Sequence, residues 1–241
     1  MLPSLLNSDA STEGIQPSLD VQLLSPTSML SGEYRRIFDE LPEGDVLSPA
    51  QIQCSMEQAL KIGPSLDEGL WIFAYGSLIW NPTVKHDRRE RASLPNWRRS
   101  FCMHLVAGRA TLAEPGRMLS LESGGRTDGI AYRIPTADVA NELPTIWLRE
   151  MVTGAYVPRW LDLELEGGQV CRALVFTASL SANHWCADSS PEAAAPVMSK
   201  ATGPLGSNAD YALLLRRALA RENIQDAYVK EVAELIEMTN V

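Results

Sequence analysis

Two short segments hold the residues best suited to chemistry. The first is Tyr75-Gly76-Ser77-Leu78, which follows directly on the apolar run Leu70 to Ala74. Gly76 has no Cβ, so the backbone there can approach a ligand closely. Successive N–H groups in such a turn form a nest for negative charge, and Ser77 adds a hydroxyl. The second segment surrounds Glu150 with Ile146, Trp147, Leu148, Met151 and Val152. A carboxylate partly stripped of water there has a raised pKa and can act as a base near neutral pH. The pair points to acyl chemistry on a small polar substrate. Plainer readings stand beside it. The turn can simply end a strand, and Glu150 can pair with an arginine such as Arg149 or Arg159. Adjacent helical residues do not face each other, which weakens the Arg149 pairing.

Other residues carry less. Arg98, Arg99, Arg109 and Arg117 are candidates to hold a substrate carboxylate, or they solvate a surface. Gly203-Pro-Leu-Gly-Ser-Asn208 resembles a helix-entry loop, with Ser207 or Asn208 as the cap and anion binding as the alternative. Tyr211 reads as a core residue. His184 and Cys186 are two possible metal ligands without a cluster, so no metal and no cofactor is expected. Cys54, Cys102, Cys171 and Cys186 form no C-x-x-C pair and read as reduced thiols. The usual nucleotide, α/β-hydrolase and zinc-protease motifs do not occur.

The elements that must position these residues follow from the pattern. Ser48-Pro49 opens a helix with Ile52, Met56, Ala59 and Leu60 on one face, ended by Gly63-Pro64. Leu70 to Tyr75 reads as a buried strand. Arg117 to Glu122 and Gly129 to Ile134 read as two strands separated by a turn at Gly124-Gly125. Thr136 is placed as the cap of a helix that Pro144 breaks or restarts before a second helix through Val152. Leu161, Leu163 and Leu165 lead through Gly167-Gly168 into Val170 to Thr177 as a hairpin. Residues 179 to 200 read as irregular. Helices follow from about 208 to 221 and from about 224 onward. Strands and helices do not alternate regularly, so an α+β fold is expected over a doubly wound parallel sheet.

The 241 residues suffice for one sizeable domain, placed at 48–241. Residues 1–47 are rich in Ser, Pro, Gly and acidic residues and read as a loosely ordered arm whose leucines could dock. The formal net charge of −9 opposes binding of nucleic acid, so any anion site must be locally organised. No run of 18 apolar residues suggests a membrane span, and the N-terminus lacks a secretory pattern, so the expected location is cytoplasmic.

Four blocks resemble the ChaC family of γ-glutamylcyclotransferases, in its bacterial branch: residues 71 to 82 (WIFAYGSLIWNP), 115 to 135, 148 to 160 and 203 to 215. The resemblance covers about residues 48 to 236 and leaves out the arm. It implies a γ-glutamylcyclotransferase-like fold, with a small mixed β-barrel-like sheet, flanking helices and the cleft at the end of the first strand. It implies cyclisation of the γ-glutamyl group of glutathione, releasing 5-oxoproline and cysteinylglycine. Glu150 then matches the catalytic glutamate, and Ala74, Tyr75, Gly76, Ser77, Leu78 and Ile79 match the substrate-binding loop. Ala74 departs from the glycine frequent there. Two alternatives remain: cyclisation of other γ-glutamyl amides, and a non-catalytic γ-glutamyl-binding protein.

Overall fold

The computed structural model describes residues 23–180 and 185–239. Its centre is a closed five-stranded barrel. In the labels used here, β1 is Leu70–Ala74, β2 Arg88–Leu105, β3 Gly116–Ile134, β4 Tyr156–Leu165 and β5 Val170–Ala178, ordered β1-β3-β2-β4-β5 around the wall. β1 pairs antiparallel with β3 (Ala74 opposite Ile130) and parallel with β5 (Trp71 opposite Ala173). Held on both sides, β1 is apolar along nearly its whole length, as a fully covered strand must be. The expected α+β class is thus observed, and the β4–β5 hairpin turns where the paired glycines predict, with Gly168 at φ 79°.

Helices pack around the barrel: α1 Pro26–Ser31, α2 Pro49–Lys61, α3 Thr136–Met151, α4 Pro191–Lys200, α5 Asn208–Arg221 and α6 Ala227–Thr239. α2 begins with a reciprocal capping box between Ser48 and Gln51 and has Pro49 in its first turn. α3 is fixed by Trp147, which is fully buried, stacks edge-on against Phe176 and donates its indole N–H to Ser55 Oγ at 2.7 Å. Truncating such a side chain costs about 3–5 kcal/mol.

Three expectations change. Residues 116–134 form one long strand, not two. Gly124 and Gly125, at φ 100° and 75°, make a bulge opposite Asn96 that bends the strand without ending it. α3 runs unbroken through Pro144, and Thr136 does not cap it but donates to the Leu66 carbonyl. Residues 191–200 are helical, capped by Ser190 with Pro191 in the first turn. Their small side chains Ala194 and Ala195 lie buried and give no marked periodicity.

The arm is described in part. Residues 1–22 lie outside the described residues. Residues 26–47 are docked, because their apolar side chains find a partner: Met29 and Tyr34 form a small core with Val152 at the end of α3. Tyr34 Oη donates to the Arg149 carbonyl at 3.1 Å, and Leu47 N–H to the Val152 carbonyl at 2.8 Å.

Candidate active site

Ser77 and Glu150 line one cavity of about 420 Å³, in the size range of small-molecule sites. β1 delivers Ser77: the strand ends at Ala74, and a 3₁₀ turn at Ser77–Ile79 follows. The last turn of α3 delivers Glu150, three residues after the Trp147 anchor and so near the same helical face.

Arg149 joins the two segments. Its Nη2 donates to Ser77 Oγ at 2.7 Å, and its Nη1 to Asn81 O at 2.7 Å and Thr83 Oγ1 at 3.2 Å. Its Nε also lies 3.4 Å from Glu150 Oε1. The adjacent pair therefore does meet, against the helical expectation, because the buried guanidinium lies among all four groups at the end of α3. Burial nevertheless holds the Glu150 pKa above the usual carboxylate range, with Arg149 pulling the other way. Burial is the larger of the two influences. Since Ser77 Oγ accepts from Arg149, its own O–H is free to donate elsewhere.

Of the segment Ala74 to Ile79, Ser77 alone lines the cavity. Ala74, Tyr75, Leu78 and Ile79 are buried in the main core. Tyr75 Oη donates to the Phe176 carbonyl at 2.5 Å, and the Tyr75 carbonyl accepts from Arg99 Nε at 2.7 Å. A Cβ on Gly76 would sit 2.9 Å from Tyr211 Oη and 3.2 Å from Leu119 Cδ2, so the turn fits only without a side chain there.

Tyrosines surround the carboxylate. Burial, with a contribution from the Glu150 charge, pushes Tyr211 up to about 12 and Tyr75 and Tyr156 well above their ordinary value. All three stay neutral near pH 7, and of them Tyr211 and Tyr156 line the cavity. Tyr211, read from sequence as core, lines the cavity, as do Tyr156 and Tyr34. Tyr156 comes from β4, where strand periodicity carries no mark of a site. Tyr34 lies in the segment expected to be loose.

The four candidate arginines divide. Arg99 is buried and spent on structure, bridging Tyr75 O, Asp128 O and Asp226. Arg98 lies 3.5 Å from Glu122 and does not line the cavity. Arg109 and Arg117 do line it. Ser207 caps α5, accepting from Asp210 N–H at 2.9 Å. His184 lies outside the described residues, and Cys186 is buried with a free thiol. Cys102 is likewise buried, Cys171 half-buried and Cys54 exposed, all three free.

The comparisons with known proteins agree with this architecture. The glutathione-specific γ-glutamylcyclotransferase of Escherichia coli (strain K12) is 39% identical over 199 residues, covering 82% of this chain and 85% of that protein. The γ-glutamylcyclotransferase 2-3 of Arabidopsis thaliana is 30% identical over 175 residues, covering 69% and 88%. The crystal structure of the yeast γ-glutamyl cyclotransferase specific to glutathione superposes with a TM-score of 0.65 at 21% identity, over 71% of this chain and 96% of that one, and shows a shared fold. The family model described as ChaC-like protein matches residues 70–239, and the chain belongs to that family.

Proposed function

We propose that the protein cyclises the γ-glutamyl group of glutathione, releasing 5-oxoproline and cysteinylglycine. The observation that carries this reading is Glu150: a carboxylate with a raised pKa that shares with Ser77 the wall of a substrate-sized cavity. The similarity to glutathione-specific relatives supports the choice of substrate. Three arginines line the cavity against two carboxylates, Glu150 and Asp45, although the whole chain has 30 acidic and 21 basic residues. That local reversal suits a substrate with two carboxylates.

The substrate's α-amine attacks its own γ-carbonyl carbon. A lactam C–N bond forms and the γ-amide C–N bond breaks. Both groups belong to one molecule, so the protein need only hold the folded conformer. An α-amino group has an ordinary pKa of about 8 and arrives mostly protonated. Two protons pass from that ammonium to the leaving nitrogen, and Glu150 is the carrier for each in turn. Ser77 binds the γ-glutamyl end through its O–H, the rest of residues 74–79 hold that serine in place from the core, and the neutral hydroxyls of tyrosines lining the cavity complete the surroundings of the substrate. Four free cysteines suit a reducing, cytoplasmic setting.

The test is incubation of purified protein with glutathione, γ-glutamylalanine and γ-glutamylcysteine, following 5-oxoproline. Preference for glutathione is expected. Equal kcat/KM on all three would favour a broad cyclotransferase, and no 5-oxoproline from any would favour a binding protein.

A further inference from the structure

Arg117 stands out among the cavity residues. Its Nη1 is buried without a hydrogen-bond partner. A buried cationic donor left unpaired is costly, and proteins rarely keep one without a use for it. Two other groups lie near the guanidinium. The guanidinium charge acts on the Cys186 thiol, opposing the upward push of burial, and on the exposed Asp188 carboxylate. Neither supplies a partner for Nη1.

The backbone under Arg117 is fixed with unusual care. The Asn208 carboxamide brackets it, with Oδ1 accepting from Arg117 N–H at 2.8 Å and Nδ2 donating to Arg117 O at 3.0 Å. Asn208 is itself fully buried, and a Cβ on Gly116 would come within 2.4 Å of its Oδ1. Arg109 approaches the same turn, donating to Ser207 O at 3.0 Å. Two cations are thus presented to the cavity around one rigid loop.

Spacing relates this loop to the reacting end. Leu119 lies at that end: its side chain adjoins Gly76, and its carbonyl accepts from Tyr156 Oη at 2.7 Å. Arg117 precedes Leu119 by two residues on β3, so both side chains leave the strand on the same side, about 7 Å apart along it. The two residues of a cysteinylglycine moiety span at most about 7 Å when extended.

We propose that Arg117, with Arg109 beside the same loop, forms a carboxylate subsite for the C-terminal glycyl carboxylate of the substrate. The inference rests on the proposed cyclotransfer reaction and adds the group that reads the far end of the molecule. The guanidinium fork suits a carboxylate, and the fixed backbone means little ordering is needed on binding. This subsite makes the enzyme selective, since every γ-glutamyl amide offers the same reacting atoms.

The experiment compares glutathione with its C-terminal carboxamide, in the unaltered protein and in Arg117→Gln and Arg117→Lys. In the unaltered protein kcat/KM should favour glutathione by about 10- to 100-fold, as expected for a charge-assisted hydrogen bond to a desolvated group. Arg117→Gln should bring the ratio between the two substrates near one, and Arg117→Lys should restore part of it. Equal turnover of both substrates by the unaltered protein would overturn the subsite while leaving the reaction intact, and it needs no variant to fold. An Arg117→Gln protein that loses equally on both substrates would also overturn it. Absence of 5-oxoproline from glutathione itself would overturn the reaction and the subsite together.

Discussion

The cavity has two unlike walls. On one side, Ser77, Arg149, Glu150 and Tyr211 are tied through buried polar contacts to β1, α3 and α5. On the other, the N-terminal segment brings Leu24, Tyr34, Phe38 and Leu41, held mainly by apolar contact and by few hydrogen bonds to α3. The polar wall is over-determined: Arg149 alone bonds three acceptors outside its own helix. The apolar wall is held by area, which is less directional and more forgiving. The family model matches residues 70–239, so the forgiving wall is the part outside it. On the proposed reading, chemistry belongs to the polar wall and enclosure to the other.

The largest effect should come from Glu150→Gln, which keeps shape but removes the proton carrier. Turnover should fall by about 10²- to 10⁴-fold. Stability should move the opposite way. The folded state raises this pKa, so it binds the proton more tightly than the unfolded chain does, and its stability falls as pH rises from the ordinary glutamate range through the raised value. The Gln protein should therefore melt at or above the parent's temperature at pH 7, with the gap closing as pH falls toward the ordinary range. Parent-like turnover would remove Glu150 from the mechanism.

Arg149→Met should strike the polar wall, since its guanidinium holds Ser77, Asn81 and Thr83, while the backbone carbonyl that accepts from Tyr34 stays in place. Leaving the other partners unpaired costs about 3–5 kcal/mol, visible in chemical denaturation. A loss below about 1 kcal/mol would mean the polar wall is less tightly built than its contacts imply. Gly76→Val should follow, displacing Tyr211 or Leu119 and reducing kcat/KM far more than Ser77→Ala does. Equal losses in the two would deny the tight approach at Gly76.

The smallest effects belong to the apolar wall. Tyr34→Phe should cost about 0.5–1.5 kcal/mol of stability and only a few-fold in activity. Deleting residues 1–47 should lower the melting temperature by several degrees and raise KM more than it lowers kcat. A deletion as damaging as Glu150→Gln would place chemistry on the apolar wall and erase the distinction.

Much of the polar wall is legible in sequence because local signals specify it. The apolar run of β1 ends in a glycine turn, and Glu150 interrupts an apolar helix. The contribution of Arg149 is not legible, because adjacent positions on a helix diverge and only the fold brings Ser77 and Asn81 to its guanidinium. The same holds for Tyr156 and Tyr34, which reach Glu150 from a strand and from the arm. Asn208 reads as a helix start, and only pairing with β3 reveals it as the clamp on Arg117. The bulge at Gly124-Gly125 reads as a turn because positive φ serves both, and register with β2 decides between them.

The cysteines carry a last consequence. Burial pushes the Cys102 thiol up to about 12 and Cys171 up to about 11, and raises Cys186 as well. Only a thiolate attacks a disulfide, so at neutral pH these three sulfurs are poor partners for exchange. A protein handling a thiol peptide meets its oxidised form too, and mixed-disulfide formation would be a standing hazard to a cavity with Cys186 beside Arg117. Keeping those sulfurs protonated makes the fold resistant to the redox chemistry of its own substrate, and leaves exposed Cys54, on α2, as the position where any such adduct should first be found.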